Sequence, residues 1–375
     1  MTGERSSKVV VVGCGPIGGA MGCLFRRHGF DVDIYERGLR FAEMLGVKEQ
    51  LLSYTVPVYG RTLHDLNGTT TYTPYGREGE CNFCVDRSKL NEFWNNTVEK
   101  AGASLHFDRA LSLEHTNLED RRLCFIDSAG GEHSVDLSPV QQMVSGHSDA
   151  SHPPDTAVIG CDGAGSRLRY ALSNVGVVSF SEEMIGHEYK EVPFVALSTS
   201  AEHPEGTAIH NGSIHIWPRE DFFLMALANL DGSFTGTIYA RNGLNDEDRA
   251  ADVGLPSFVH LRYRRQRPNA AAELISNPQS KLGSVRCNTH TAVVSGVPYL
   301  LVGDAAHAIV PFFGQGCNCG FEDCVVLDEH LQDKSRPLAV AFRAYSAQLL
   351  ADTDAIADMA LDNFVEMMSR VADPK

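Results

Sequence analysis

The chain has 375 residues, 43% of them hydrophobic, with 32 basic against 48 acidic side chains for a formal charge of −16. A chain of this size and composition buries a sizeable core and has room for two domains, which excludes a disordered tract. The acidic excess argues against a nucleic-acid or anionic-membrane surface, whereas an anionic cofactor needs only backbone N–H groups and a few placed arginines. Ten cysteines are scattered along the chain and residues 1–8 are polar and charged rather than a secretory leader, so reduced thiols and an intracellular location are expected. No apolar run approaches bilayer-spanning length, so no membrane anchor is expected in this chain.

Residues 9–12 are a valine run bounded by Gly13, the pattern of a strand buried on both faces. Residues 17–28 follow with helical spacing, and residues 31–35 form a second strand ending in Glu36, which makes a βαβ start. A helix is expected over 41–52. Residues 61–66 and 69–73 flank Asn67-Gly68, a hairpin turn signal. Cys81 and Cys84 have metal-like spacing but no second pair, and read as strand thiols, with no metal expected. Asp86 or Ser88 caps a helix running to about Ala101. Residues 104–107 resume the sheet, and 111–115, 123–126 and 133–137 suggest an antiparallel meander. Residues 138–155 are polar and without period, a long loop for a compact domain. Residues 157–161 are another short buried strand. Strands over 188–193, 213–217, 222–230 and 233–239 then mark a change from α/β to antiparallel β, and with it a second domain. Residues 284–286 and 299–302 return to the first type, and 321–331 and 338–362 are helical.

Three motifs carry chemistry. Gly13, Gly15 and Gly18 form G-x-G-x-x-G between strand and helix: the first allows the tight turn, the second lets backbone approach a pyrophosphate, and the third lets helix pack on strand. Glu36 closes the second strand, where a carboxylate accepts hydrogen bonds from ribose hydroxyls. This fingerprint does not separate NAD from FAD. The second motif is Cys161-Asp162-Gly163-Ala164-Gly165-Ser166 followed by Arg169. Its Asp162 and Ser166 either cap a helix or form a crevice wall touching flavin and pyridine nucleotide. The third runs from Gly303-Asp304 through Pro311-Phe312-Phe313-Gly314-Gln315-Gly316 to a helix from about Asn318. Asp304 stands where an acid meets a ribityl or ribose hydroxyl, and the stiff apolar segment 311–316 suits a planar ring. The helix start supplies N–H groups to the negative edge of a reduced flavin.

The three motifs in this order resemble those of the FAD-dependent aromatic hydroxylases, and residues 303–324 (GDAAHAIVPFFGQGCNCGFEDC) resemble the kynurenine 3-monooxygenase family within them. Residues 188–191, 214–219 and 230–235, with Asn363 and Glu366, extend the resemblance over nearly the whole chain. It implies an α/β fold, a Rossmann-like doubly wound FAD-binding domain built from residues 1–58, 86–180 and 281–335. An antiparallel β-sheet substrate domain would take residues 59–85 and 181–280, and C-terminal helices residues 336–375.

The implied reaction is reduction of FAD by NADPH, activation of O2, and hydroxylation of L-kynurenine to 3-hydroxykynurenine. No catalytic base is implied, because the aniline nitrogen already activates the ring. Ile17, Glu36, Arg37, Arg87, Leu111 and Asp304 fall where the family holds FAD, with Gly316, Cys317 and Asn318 at the turn beside the flavin and Asp162 on the crevice wall. Arg61 and Tyr75 match the pair that holds the substrate carboxylate, and Phe312, Asn363 and Glu366 fall on the substrate side. The family has Met at Cys317 and Ala at Cys319, so thiols stand beside the flavin here.

Three departures accompany the resemblance. A family segment of about two dozen residues that passes along the flavin is missing after Glu36. Residues 140–154 have no counterpart, and the chain ends at Lys375, before the helices that carry a further carboxylate-binding tyrosine. In eukaryotic members those helices also carry an anchor at the mitochondrial outer membrane. A related flavin hydroxylase with another aromatic substrate, and a non-catalytic remnant that binds flavin weakly, stand as alternatives.

Overall fold

The computed structural model describes residues 8–13, 15–28, 31–33, 39–65, 67–137, 156–194, 209–219, 222–242 and 278–371. The chain divides into two compact units. The first takes Met1–Lys48, Leu90–Glu183 and Ser284–Phe364; the second takes Glu49–Lys89, Met184–Gly283 and Val365–Lys375.

The first unit is built on a five-stranded sheet of β1 (Lys8–Val12), β2 (Asp31–Asp33), β10 (Thr156–Gly160), β16 (Thr291–Val294) and β17 (Val297–Leu301), in the order β16-β17-β10-β1-β2. The pairs β2-β1, β1-β10 and β10-β17 are parallel, and β16 is an antiparallel edge. Val9, Val10, Val11 and Val12 are all buried, as are all five residues of β10 and of β17. That explains why these strands read as continuous apolar runs instead of alternating ones. Helix α1 (Pro16–Arg27) links β1 to β2 and buries every residue from Pro16 to Phe25. A three-stranded meander, β7 (Ala110–Leu111), β8 (Arg122–Ile126) and β9 (Glu132–Asp136), belongs to the same unit.

The second unit is built on β3 (Thr55–Val58), β4 (Gly60–His64), β5 (Thr70–Pro74), β6 (Asn82–Val85), β12 (Ser213–Pro218), β13 (Phe222–Ala228) and β14 (Phe234–Arg241). β11 (Phe180–Phe194) and β15 (Ser280–Cys287) complete a seven-stranded sheet, β15-β11-β14-β13-β12-β4-β5, and β3 pairs with β6. Burial alternates strictly along β12, as a sheet with one covered face requires. Trp217, Leu224, Ala226, Phe234 and Ile238 form the core on that face. The 67–68 turn closes β4 on β5 as expected: Gly68 takes φ +83, and the Asp65 carboxylate accepts from the N–H groups of Asn67 and Thr69.

Several expectations need correction. The helix over 41–52 is two, α2 (Leu39–Met44) and α3 (Lys48–Leu52), because Gly46 adopts φ +73 between them. Residues 104–107 form no extended strand: only Ser104 takes part in a β-bridge, and the chain then turns through Asp108 at φ +54 into the meander that begins at Ala110. β15 joins the seven-stranded sheet and not the parallel one, and β11 starts at Phe180, eight residues before the expected start at Glu188. β16 was not foreseen. Asp86, rather than Ser88, caps α4 (Arg87–Lys100), accepting from the N–H groups of Ser88 and Lys89. The loop over 138–155 lies outside the described residues. Among the described residues, no helix is long and apolar enough to cross a membrane.

A histidine pair sits in the second unit, on the face of β4 opposite Arg61. His215 Nε2 donates to the His210 carbonyl at 2.8 Å, which leaves its Nδ1 to accept from His64 Nε2 at 2.8 Å. His64 also stacks on Trp217, with 4.3 Å between ring centres. Burial, then the nearby His215 and Arg219 charges, lower the His64 pKa from 6.5 to about 4. A lowered folded value means that the unfolded chain takes up the proton first. Stability from this group is therefore full above 6.5 and lost as pH falls towards 4. The melting midpoint is expected to drop through that window, and His64→Gln to flatten the drop; thermal melts at stepped pH check it.

Candidate active site

The connections from β1 and β10 leave on opposite sides, so the carboxyl ends of these adjacent strands open a crevice at the switch point of the sheet. Gly13 lies at its lip with φ +114, and a Cβ there would stand 2.3 Å from the Cys161 carbonyl carbon. Glycine alone lets the two turns approach, and the Cys161 N–H then donates to the Val12 carbonyl at 2.6 Å. Gly15 caps α1 with no side-chain hydrogen bond, and Pro16 follows, so the first-turn N–H groups of a helix of 12 residues have no side-chain acceptor at the cap. Gly18 is buried inside that helix.

A cavity of about 370 Å³ occupies the crevice, lined by Gly13, Asp108, Arg109, Leu111, Asp162 and Arg167 among others. Leu111 is buried, and its carbonyl accepts from Arg167 Nη1 at 2.8 Å, which holds the loop against the start of α5 (Arg167–Asn174). Asp162 accepts from Ser166 Oγ at 2.5 Å and from the Leu168 N–H at 3.1 Å. Burial pushes its carboxyl pKa up, against those hydrogen bonds. The Ser166 hydroxyl in turn accepts from the Arg169 N–H. The capping reading of this motif holds, and Asp162 lines the cavity as well. The neighbouring arginines Arg109 and Arg167 escaped the sequence reading, since only the tertiary fold brings them to Gly13.

The third motif closes the same unit. Gly303, at φ +60, precedes the short helix α6 (Asp304–His307), and its N–H donates to Asp323 Oδ2 at 2.7 Å. His307 Nε2 donates to the same oxygen at 2.8 Å, with both side chains buried. Burial alone would lower the His307 pKa, but the Asp323 charge and hydrogen bond, with the Asp304 charge, raise it overall. Asp304 itself is exposed. Asp323 lies on α7 (Gly316–Leu331), which begins at Gly316, two residues before the expected Asn318, and has no side-chain cap hydrogen bond. Gly316 and Cys317 are half-buried and Asn318 is exposed, its amide donating to Gln315 Oε1 at 3.2 Å. Burial, then Asp323 and Asp304, push the Cys319 thiol up to about 11, which keeps it protonated and slow to oxidise.

Ile17, 9% exposed, packs where Gly320 and Gly303 have no Cβ; side chains there would approach it to 2.4 and 3.2 Å. It draws α1, α7 and the Gly303 turn together. Arg169 ties the second motif to the third. It is fully buried, donates to the carbonyls of Ala305 at 2.9 Å and Ala164 at 2.5 Å, pairs with Glu182 at 2.9 Å, and lies 4.6 Å from the Phe180 ring centre. Arg169→Met is expected to cost about 3 kcal/mol, because buried acceptors lose their donor. Urea unfolding of the variant measures it, and a loss within error of zero would show that the guanidinium does not bind the motifs together.

Of the residues expected on the substrate side, Arg61 lies on β4 and Tyr75 just beyond β5, its N–H donating to the Tyr59 carbonyl at 2.9 Å. With Arg61 opposite Thr73, Arg61 and Tyr75 are diagonal neighbours on one face of the hairpin. Burial raises the Tyr75 phenol pKa, and the Arg61 charge works in the opposite direction. In the first unit, Asn363 on α8 (Leu338–Val371) donates to the Phe312 carbonyl at 2.7 Å, and the Phe312 and Phe364 rings lie 4.7 Å apart. Asn363 thus pins the Phe312 turn. Arg87, the first residue of α4, is exposed. Glu36 and Arg37 lie outside the described residues, as does the side chain of Glu366.

A protein-family model described as an FAD binding domain matches residues 156–336. The fold is shared with a tetrameric form of 2-methyl-3-hydroxypyridine-5-carboxylic acid oxygenase, at a TM-score of 0.69 and 16% identity over 97% of this chain and 92% of that one. It is shared too with Klebsiella pneumoniae HpxO complexed with FAD and uric acid, at a TM-score of 0.66 and 19% identity over 95% of this chain and 87% of that one. Fold and family model define an FAD-binding protein of the Rossmann-like type. The kynurenine 3-monooxygenase of Candida albicans is 31% identical over the whole chain and 83% of its own length. That of Myxococcus xanthus is 32% identical over the whole chain and 81% of its own. The chain belongs to the kynurenine 3-monooxygenase family.

Proposed function

We propose that the chain hydroxylates L-kynurenine to 3-hydroxykynurenine with NADPH and O2, a step of tryptophan degradation. The observation that carries the substrate is the Arg61–Tyr75 pair on one hairpin face. A fixed cation beside a phenol hydroxyl suits an amino-acid carboxylate, which a simple phenol lacks. Phe312, Asn363 and Glu366 are proposed as further substrate contacts, with Asn363 acting by pinning the Phe312 turn.

The cavity residues fit the cofactor of the family. Gly13 leaves room at the crevice lip, and the N-termini of α1 and α7 lack side-chain caps, so their N–H groups suit a pyrophosphate and an anionic ring edge. Asp304, Leu111, Asp162, Arg87 and Ile17 are proposed to line the cofactor together with Gly15, Gly18, Gly316, Cys317 and Asn318, and Glu36 and Arg37 to meet its ribose. FAD, when bound, would supply the redox chemistry, both hydride acceptance and O2 activation. The chain's own share is to orient the aromatic ring and to exclude water from it. No side chain is assigned as a base, because the aniline nitrogen activates the ring.

L-kynurenine should stimulate NADPH oxidation with matching 3-hydroxykynurenine. Stimulation by simple phenols but not by kynurenine would reject this substrate, and protein that takes up no FAD would reject the whole reading. Arg61→Met should raise KM for kynurenine by about 10–100-fold while leaving the flavin spectrum unchanged, as expected for one lost charge-assisted contact. An unchanged KM in steady-state assays would remove Arg61 from the site.

A further inference from the structure

A second cavity, of about 520 Å³, lies in the first unit outside the cofactor crevice, between the β7-β8-β9 meander and the Leu113–Leu118 loop. His115, Cys124 and Glu132 line it, and one nitrogen, the sulfur and one carboxylate oxygen of these three all lie within 4.8 Å of one another. Cys124 and Glu132 share a face of the β8–β9 ladder, since Cys124 opposes Ser134 and Ile126 opposes Glu132. His115 reaches them from the loop. Its Nδ1 is buried and makes no hydrogen bond, although Glu132 Oε1 is 3.3 Å away. Two ligands at the ~2.0–2.2 Å bond lengths of tetrahedral zinc stand about 3.4 Å apart, so this pair has the spacing of atoms that share a cation.

The backbone holds the trio in place. The Cys124 carbonyl accepts from the Ser112 N–H at 2.8 Å, and its N–H donates to Thr116 Oγ1 at 3.0 Å, so both residues flanking the His115 turn are tied to the strand that carries the thiol. Such prior fixing lowers the ordering cost of a ligand set. Imidazole, thiolate and carboxylate together select a borderline-soft divalent cation, and zinc takes this donor set with one water. The acidic balance of the chain, −16, attracts cations.

We propose that His115, Cys124 and Glu132 form a Zn²⁺ site with water as the fourth ligand. Binding releases the Cys124 thiol proton to solvent and braces the Leu113–Leu118 loop on the meander whose first strand carries Leu111. The test is Co²⁺ and Zn²⁺ added to the full chain purified with chelator. One equivalent of Co²⁺ should give intense d–d bands to the red of oxidised flavin, the signature of a tetrahedral thiolate site, and Zn²⁺ should bleach them. His115→Gln and Glu132→Gln, both on partly exposed side chains, should weaken Zn²⁺ by at least about tenfold while leaving the melting midpoint of the metal-free protein unchanged. Cys124→Ser should remove the bands. The double change Cys81→Ser with Cys84→Ser should leave them intact. Absence of stoichiometric bands, bands lost with Cys81 and Cys84 instead, or Zn²⁺ affinity unmoved by His115→Gln and Glu132→Gln, each overturns the site.

Discussion

Gly13→Ala is expected to yield a chain that retains no FAD and is destabilised by more than about 4 kcal/mol, the range reached only when backbone itself must move. The added Cβ would meet the Cys161 carbonyl carbon, the Cys161 oxygen and the Asp162 nitrogen at 2.3, 2.3 and 2.4 Å, and φ +114 is closed to alanine in any case. Relief requires parting β1 from β10, the central pair of the parallel sheet. Gly15→Ala is the control. Its Cβ would lie 3.9 Å from the Cys161 oxygen, an ordinary contact, so that variant should fold with near-normal stability and lose FAD affinity only through crowding of the pyrophosphate. Urea unfolding and flavin fluorescence titration on both proteins distinguish the two. Equal stability of Gly13→Ala and the parent would show that the crevice is not closed this way.

Asp323→Ala should be nearly as damaging, at about 3–5 kcal/mol, by leaving His307 buried without its counter-charge and the Gly303 N–H without an acceptor. Asp323→Asn can keep one amide oxygen for both donors while removing the counter-charge, and should fall between. The Gly303-Asp304 turn relaxes in both, so FAD affinity should fall with stability. The pH dependence gives a separate mark. His307 has a folded pKa raised above 6.5, so the pair contributes fully below 6.5 and the contribution fades as pH climbs through the raised value. Asp323→Ala should lack that alkaline fade. A variant that keeps both the fade and the FAD affinity would remove Asp323 from this role.

Where chemistry lies on contiguous residues, the fold was legible in the sequence. The valine run, the glycine turn and the small-residue helix state β1, Gly13 and α1 within twenty residues, and residues 303–316 do the same for the third motif. Arg109 and Arg167 were not legible as neighbours of Gly13, since their meeting depends on how the meander packs on β10. Asp323 looks like any acid on a helix until the fold brings it under Gly303. Gly46 at φ +73 broke a helix that apolar spacing alone would continue, because spacing reports side-chain faces and not backbone sign. Residues 284–286 of β15 point to the wrong sheet for a related reason: Ser284 and Val285 are adjacent and both buried, as in a strand covered on both faces.

The three separate stretches of the first unit have a consequence for how the protein is made. β1 leaves the ribosome long before its partner, since it pairs Lys8 with Thr156, and β17, near residue 300, completes that row. Until Val297–Leu301 leaves the ribosome, the β10 edge has no neighbour on that side and the Gly303 turn does not exist. The nascent chain must therefore carry an apolar, half-built sheet until β17 is made, a state that invites chaperone capture and aggregation. Free FAD has nothing complete to bind during that interval, so supplying flavin to cells should rescue yield only after synthesis ends, by trapping the finished fold.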